Sequence, residues 1–231
     1  MFSNVEVANH PAFYLLIAAS ILLSLGYLWG SRRNKRIFLN AFDALITVFR
    51  PKDQQFTNIG GLSGYHANLV PHRNKYIRRI DATITLLARQ SWLYFPISRL
   101  TRKFDRLFMI FFLSPQATGL LTEGHIIEKQ YSRIRGAHIE HEDRLDRYTF
   151  AWGGHSFTLY YEDERVKTEL EHCIQMLGEP LTLRHIALVP ERERMYVFMV
   201  PRQRSVERVV SVLHDWFTQT IDRRITDRIK S

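Results

Sequence analysis

Residues Ala12–Trp29 read AFYLLIAASILLSLGYLW, 18 consecutive residues without a charge, and after Gly30 comes the basic run Ser31-Arg32-Arg33-Asn34-Lys35-Arg36. As a helix this stretch is about 27 Å long, close to the ~30 Å hydrocarbon core of a bilayer. Tyr14, Tyr27 and Trp29 lie toward its ends, where amphipathic rings favour the headgroup level. A cleaved signal peptide is the rival reading. It requires a basic region before the apolar run and small residues after it, whereas Met1–Pro11 holds no Lys or Arg and Tyr27–Trp29 is bulky. The expectation is a retained transmembrane helix over 12–30. Arg32, Arg33, Lys35 and Arg36 flank it on the inner side, 1–11 form a short external N-terminus, and the remainder is cytoplasmic. That places the protein in a cell or endoplasmic-reticulum membrane, crossing it once.

The part after the anchor is about 200 residues, enough for one good-sized core. Hydrophobic residues make up 45% of the 231-residue chain and aromatics 13%, which excludes a mainly disordered protein. Cys173 is the only cysteine, so neither an intramolecular disulfide nor a cysteine-based zinc site is available. Lys plus Arg number 32 against 23 acids, and a net charge of +9 points to an anionic neighbour. The excess gathers at Arg32–Arg36, Arg73–Arg79 and Arg99–Arg106.

Within 31–50, the basic juxtamembrane segment leads into Ile37–Phe49, an amphipathic helix with Phe38, Phe42, Leu45 and Phe49 at helical spacing, closed by Arg50-Pro51. Three placements fit it: continuing the anchor, lying in the interface, or packing on the core. Gln54–His72 reads as loop around Gly60-Gly61-Leu62-Ser63-Gly64, whose glycines suit tight turns better than phosphate binding, since no GK[ST] follows. Ile80–Ala88 alternates as a half-buried strand. Leu93, Ile97, Leu100 and Phe104 make a helical stripe opposite Arg99, Arg102 and Lys103, and Leu107–Leu113 (LFMIFFL) is a short buried strand. Tyr148–Trp152 and Phe157–Tyr161 form a hairpin around Gly153-Gly154. A helix opens at Asp163-Glu164 and ends at Gly178, with Cys173 on its apolar stripe. Leu183–Val189 and Met195–Val200 form a second hairpin, and Ser205 starts a long helix whose basic end, Arg223–Lys230, is free to project. The fold class is therefore α+β: over 51–231, antiparallel strands packed with helices and closed by a long helix. Two successive strand–helix modules also fit the order.

Few constellations advertise chemistry. His138, Glu140, His141, Glu142 and Asp143 are the densest set of metal-ligating types, but HIEHED is not HExxH and reads best as a solvated loop. A metal-dependent enzyme using His138 and His141 is the least favoured alternative. No GxSxG or paired-carboxylate arrangement appears, so no catalytic residue, metal, cofactor or small-molecule substrate is predicted. The residues assigned to an anionic partner are Arg73, Lys75, Arg78, Arg79, Arg99, Arg102 and Lys103. Beside a membrane they would attract anionic lipid at about 1 kcal/mol each; interleaved with Tyr65 and Tyr76 they would equally track a ribosomal or other RNA backbone.

Three stretches resemble the calumin family, the coiled-coil-containing membrane subunit of the PAT complex, over about residues 75–225. Asp146-Arg147-Tyr148-Thr149-Phe150-Ala151-Trp152-Gly153 is similar to the family's D-x-Y-x-F-A-x-G strand, here separated by a Gly153-Gly154 hairpin from a helix reaching Glu171-His172-Cys173. Ile84–Leu87, then Arg89-Gln90, an amphipathic helix with Arg102 and an apolar strand follow the family order. So does Tyr196–Val200 with Pro201 before a long helix. Only Arg223–Lys230 stands for the family's very basic, ribosome-contacting tail, so the resemblance is to a short form of the family, such as a prokaryotic or archaeal relative would have. The resemblance implies a non-enzymatic chaperone-like factor for membrane-protein insertion or folding. It would scaffold at the translocon and ribosome with a small membrane-protein partner. The alternative is a membrane-anchored domain that binds lipid or another protein in a structural or sensory role.

Overall fold

The first helix, α1 (Pro11–Phe49), runs unbroken for 39 residues, about 58 Å at 1.5 Å per residue. The His10 side chain caps its start by accepting from the Ala12 N–H, and Pro11 fits the first turn, where an N–H is dispensable. Arg50 ends it in a left-handed conformation (φ 43°), and Pro51 cannot continue it. The computed structural model describes residues 10–102, 104–131, 139–140, 142–202 and 205–230, with only the helical backbone of Arg102. The predicted residues Lys103, His138 and His141 lie outside the described residues.

Among the described residues nine antiparallel strands follow: β1 (Pro51–Asn58), β2 (Gly64–Pro71), β3 (Ile77–Thr85), β4 (Arg106–Leu113), β5 (Gly124–Glu128), β6 (Asp146–Trp152), β7 (His155–Tyr161), β8 (Leu183–Val189) and β9 (Arg194–Met199). They make one sheet in the order β1-β2-β3-β4-β9-β8-β5-β7-β6. Between and after them come α2 (Phe95–Arg102), the single turn α3 (Pro115–Thr118), α4 (Glu164–Leu177) and α5 (Ser205–Lys230). The two halves are stitched where β9 pairs with β4, in register Leu107↔Met199 to Phe112↔Arg194. The LFMIFFL strand explains the join: it is apolar toward both faces and so suits a central position with neighbours on both edges. Separate strand–helix modules are not formed.

One face of this sheet carries the core. Leu107, Met109, Phe111 and Leu113 alternate inward with Ile80, Ile84, Val197 and Met199, all essentially inaccessible. The C-terminal half of α1 packs on them through Ala41, Phe42, Leu45 and Phe49, whose ring lies 5.6 Å from that of Phe111. Ile37–Phe49 therefore continues the apolar helix and packs on the sheet; it is not an interfacial helix. Beside it, α5 buries Trp216 and Phe217, and its Arg224 forms a two-pronged ion pair at 2.6 Å with Glu169 of α4, both side chains buried. That pair, with Ile225 packed on the core and Asp227 bonded to Arg165 of α4 at 2.7 Å, holds α5 to the domain as far as residue 227. Asp163 caps α4 by accepting from the Val166 N–H, and Cys173 is wholly buried, which pushes its thiol far above the usual range.

The expected loop over 54–72 is corrected by the structure, which places β1 and β2 there with the glycines forming the turn between them. Strand β1 (PKDQQFTN) escapes a periodicity reading because it is an edge strand exposed toward both faces, and its polar residues discourage edge-to-edge pairing. At the turn, Gly61 takes φ +59°, and a Cβ on Gly64 would come within 3.1 Å of the Gly60 backbone.

Candidate functional site

A four-residue step runs down α1: Gly26, Gly30, Asn34, Phe38. The first two lie in the apolar stretch and the third inside the basic run, yet all three are buried. A Cβ at Gly30 would sit 2.1 Å from the Arg89 carbonyl oxygen, and one at Gly26 would sit 2.4 Å from the Trp92 ring. Small residues four apart thus allow the Arg89–Gln90 backbone and the Trp92 ring to lie directly against the helix. Asn34, fully buried, is bonded through both ends of its amide, its two Nδ2 hydrogens being shared among three acceptors. Its Nδ2 donates to the Leu62 carbonyl (3.1 Å), the Leu87 carbonyl (2.9 Å) and Gln90 Oε1 (3.1 Å), and its Oδ1 accepts from Arg89 Nη1 (3.0 Å). Arg89 is clamped in turn by Asp105, with Nη1···Oδ1 at 2.8 Å and Nη2···Oδ2 at 2.7 Å, both side chains 9% exposed. The Leu87 N–H donates to the same carboxylate at 2.9 Å.

This clamp forms the floor of a cleft of about 1230 Å³ between α1, the end of β3, α2 and the start of α5. Arg32, Arg33 and Arg36 enter it from α1, Arg99 from α2, and Arg202 from the segment before α5. Among the described residues no carboxylate pairs with any of these five; Arg33 lies over the Trp29 ring at 5.4 Å. Asp43 and Glu207 are the other acids on the wall, while Leu25, Leu28 and Trp29 line its upper part. Guanidinium forks around an apolar-walled recess match a phosphate or carboxylate attached to an apolar body. Among the described residues the lining holds neither histidine nor cysteine, and Asp105 is committed to Arg89.

The residues assigned from sequence to an anionic partner do not come together. Arg99 and Arg102 sit at the cleft end of the sheet. Arg73 (φ 53°, in the β2–β3 turn), Lys75, Arg78 and Arg79 sit at the other end of β3, eight residue steps or about 26 Å away. There Arg78 pairs with Glu193, and its Nε donates to the Leu113 carbonyl at 2.8 Å. Arg79 lies 3.9 Å over the Phe112 ring and 3.2 Å from Asp81. Close by, Tyr76 donates to Asp222, and that bond together with burial pushes its pKa up to about 12. Of the HIEHED acids, Glu140 pairs with Arg192, and Glu142 with Arg147 at 2.7 Å.

No site role is assigned from sequence to Asn34, Asp105 or Arg202, and Arg89 enters only through the calumin resemblance. Asn34 had a usable signal, the four-residue step from Gly26; Arg89 and Asp105 had none, being 16 residues apart across a helix. No protein-family model matches the chain, and no curated protein matches it. Fold and cleft together define an α+β domain built on one long helix, half buried in the domain and half apolar and exposed, with an arginine-rich cleft at the junction.

Proposed function

We propose that this is a single-span, membrane-anchored, non-enzymatic binding domain whose arginine cleft holds the head group of an anionic lipid. One observation carries the reading: the cleft spans the boundary between the apolar and basic parts of α1, so Leu25, Leu28 and Trp29 share its wall with Arg32, Arg33 and Arg36. Only 6% of the most apolar 18-residue window of α1 is buried in the domain, as suits a helix whose other surroundings are lipid. The basic residues then mark the cytoplasmic side, with the preceding residues outside. An amphipathic ligand meets both halves of such a wall, and a nucleic-acid backbone meets only one. Native mass spectrometry of the detergent-solubilised full chain, with phosphatidylglycerol or phosphatidylcholine added, tests it. Retention of phosphatidylglycerol is expected to exceed that of phosphatidylcholine and to fall about tenfold or more in Arg99→Glu/Arg202→Glu, through loss and reversal of two charge-assisted contacts. Equal retention of both lipids, or no change in the variant, refutes the cleft assignment.

The more specific service is assistance to membrane-protein insertion or folding beside a translocon, with ribosome and a small membrane protein as partners. The calumin resemblance supports it, as does one helix running without a break from an apolar span into an antiparallel α+β domain closed by a long helix. Mild-detergent purification from native membranes tests it. Translocon subunits and ribosomal proteins should co-purify, and an eluate lacking both removes this service while leaving the anchored lipid-binding domain.

A further inference from the structure

The segment from Trp92 to Leu100 leaves most of its apolar side chains uncovered by the protein. Leu93 is 79% exposed and Leu100 78%, and Trp92, Tyr94 and Ile97 are about half exposed. Leu93, Ile97 and Leu100 are spaced i, i+4, i+7, which puts them on one side of α2 and its entry turn. The opposite side is fastened to the domain: Ser98 is buried, and its Oγ accepts from the Ala88 N–H at 3.1 Å. This is a fixed apolar ridge, held at its base by the Arg89–Asp105–Asn34 clamp.

Its height along α1 identifies what covers it. Trp92 packs at Gly26, six residues before Arg32 and therefore about 9 Å further into the apolar stretch. Leu22 and Leu25 on the same stretch of α1 are exposed, while Arg32 and Arg33 follow below them and line the cleft together with Arg99 of α2. An apolar ridge bounded by arginines at that height matches an interfacial helix seated at the headgroup–acyl boundary. We infer that Trp92–Leu100 is a second membrane-contacting element that inserts into the cytoplasmic leaflet beside α1 and fixes the orientation of the domain on the bilayer. This rests on the reading that α1 spans the membrane, and the occupant it commits to is lipid.

The test uses the full-length protein in vesicles of equal parts phosphatidylcholine and phosphatidylglycerol. Leu93→Cys, Leu100→Cys, Leu22→Cys and Gln54→Cys are each labelled with an environment-sensitive fluorophore, the native Cys173 being wholly buried. Quenching by lipids bearing a nitroxide high on the acyl chain is then read. Labels at 93 and 100 should lose at least half their emission, as should the label at 22 in the span, while the label at 54 on β1 stays bright. If 22 is quenched and 93 and 100 behave like 54, the inserted ridge is wrong and the anchor stands. If 93 and 100 are shielded from a water-soluble quencher but untouched by the lipid nitroxide, a protein covers the ridge and the inference is overturned. If 22 is not quenched, the spanning reading itself fails.

Discussion

Replacing Asp105 with leucine should produce one of the largest losses of stability available from a single substitution in this chain. Its carboxylate holds the Arg89 guanidinium through bonds of 2.8 and 2.7 Å and also accepts from the Leu87 N–H, in a place where both charged side chains are 9% exposed. Removing it leaves a buried cation with Asn34 as its remaining partner, which costs about 3–5 kcal/mol. For a chain of this size 1 kcal/mol is roughly 2–4 °C in melting temperature, so a drop of about 6–20 °C is expected. Asp105→Asn keeps an acceptor and should lose less. The double variant Arg89→Met/Asp105→Leu should recover most of the loss, because no charge is then stranded. Melting in detergent followed by circular dichroism reads all three, and the loss should change little with salt, since a buried pair is poorly screened. A drop below about 2 °C for Asp105→Leu, or a double variant no better than the single, would refute the claim that this junction is dry and charge-paired.

Gly30→Leu should destabilise more than Gly26→Leu, by about 1–3 kcal/mol, because it drives into the Arg89 backbone and not into a side chain; hydrogen exchange over 89–94 should rise with it. Arg224→Leu leaves the buried Glu169 carboxylate with the looser Arg165 contact at 3.6 Å and should lower the melting temperature, though less than Asp105→Leu, with Arg224→Lys in between. Burial, and secondarily the charge of His125 with its ring 5.9 Å away, pushes His185 down to about 3. The unfolded chain therefore binds a proton that the folded chain refuses. The stabilising contribution is complete above the unfolded pKa near 6.5 and is lost as pH falls toward 3, by up to about 1.4 kcal/mol per pH unit. His185→Gln should flatten the melting temperature between pH 7 and 4.5 relative to the parent, and parallel profiles would count against it.

Features set by near neighbours are legible in the sequence. The charge-free run 12–29, the alternation of Tyr148–Trp152 and Phe157–Tyr161, the acidic start and glycine end of α4, and the Pro51 stop after α1 all follow from 3.6- and 2-residue geometries acting over a few neighbours. Strand β1 was missed because a polar edge strand has no apolar period; its conformation is imposed by pairing with β2. The basic clusters look alike in sequence, yet one set lines the cleft while Arg78 and Arg79 bind Glu193 and Asp81 at the far end of the sheet. By itself, the sequence determined the α+β class and the elements with an apolar period, while β1 and β2 needed their pairing partners. The tertiary structure alone decided that β9 closes on β4, that Gly26, Gly30 and Asn34 face inward, and that five arginines converge on one recess. Those outcomes depend on contacts between residues tens to a hundred positions apart, which no local period encodes.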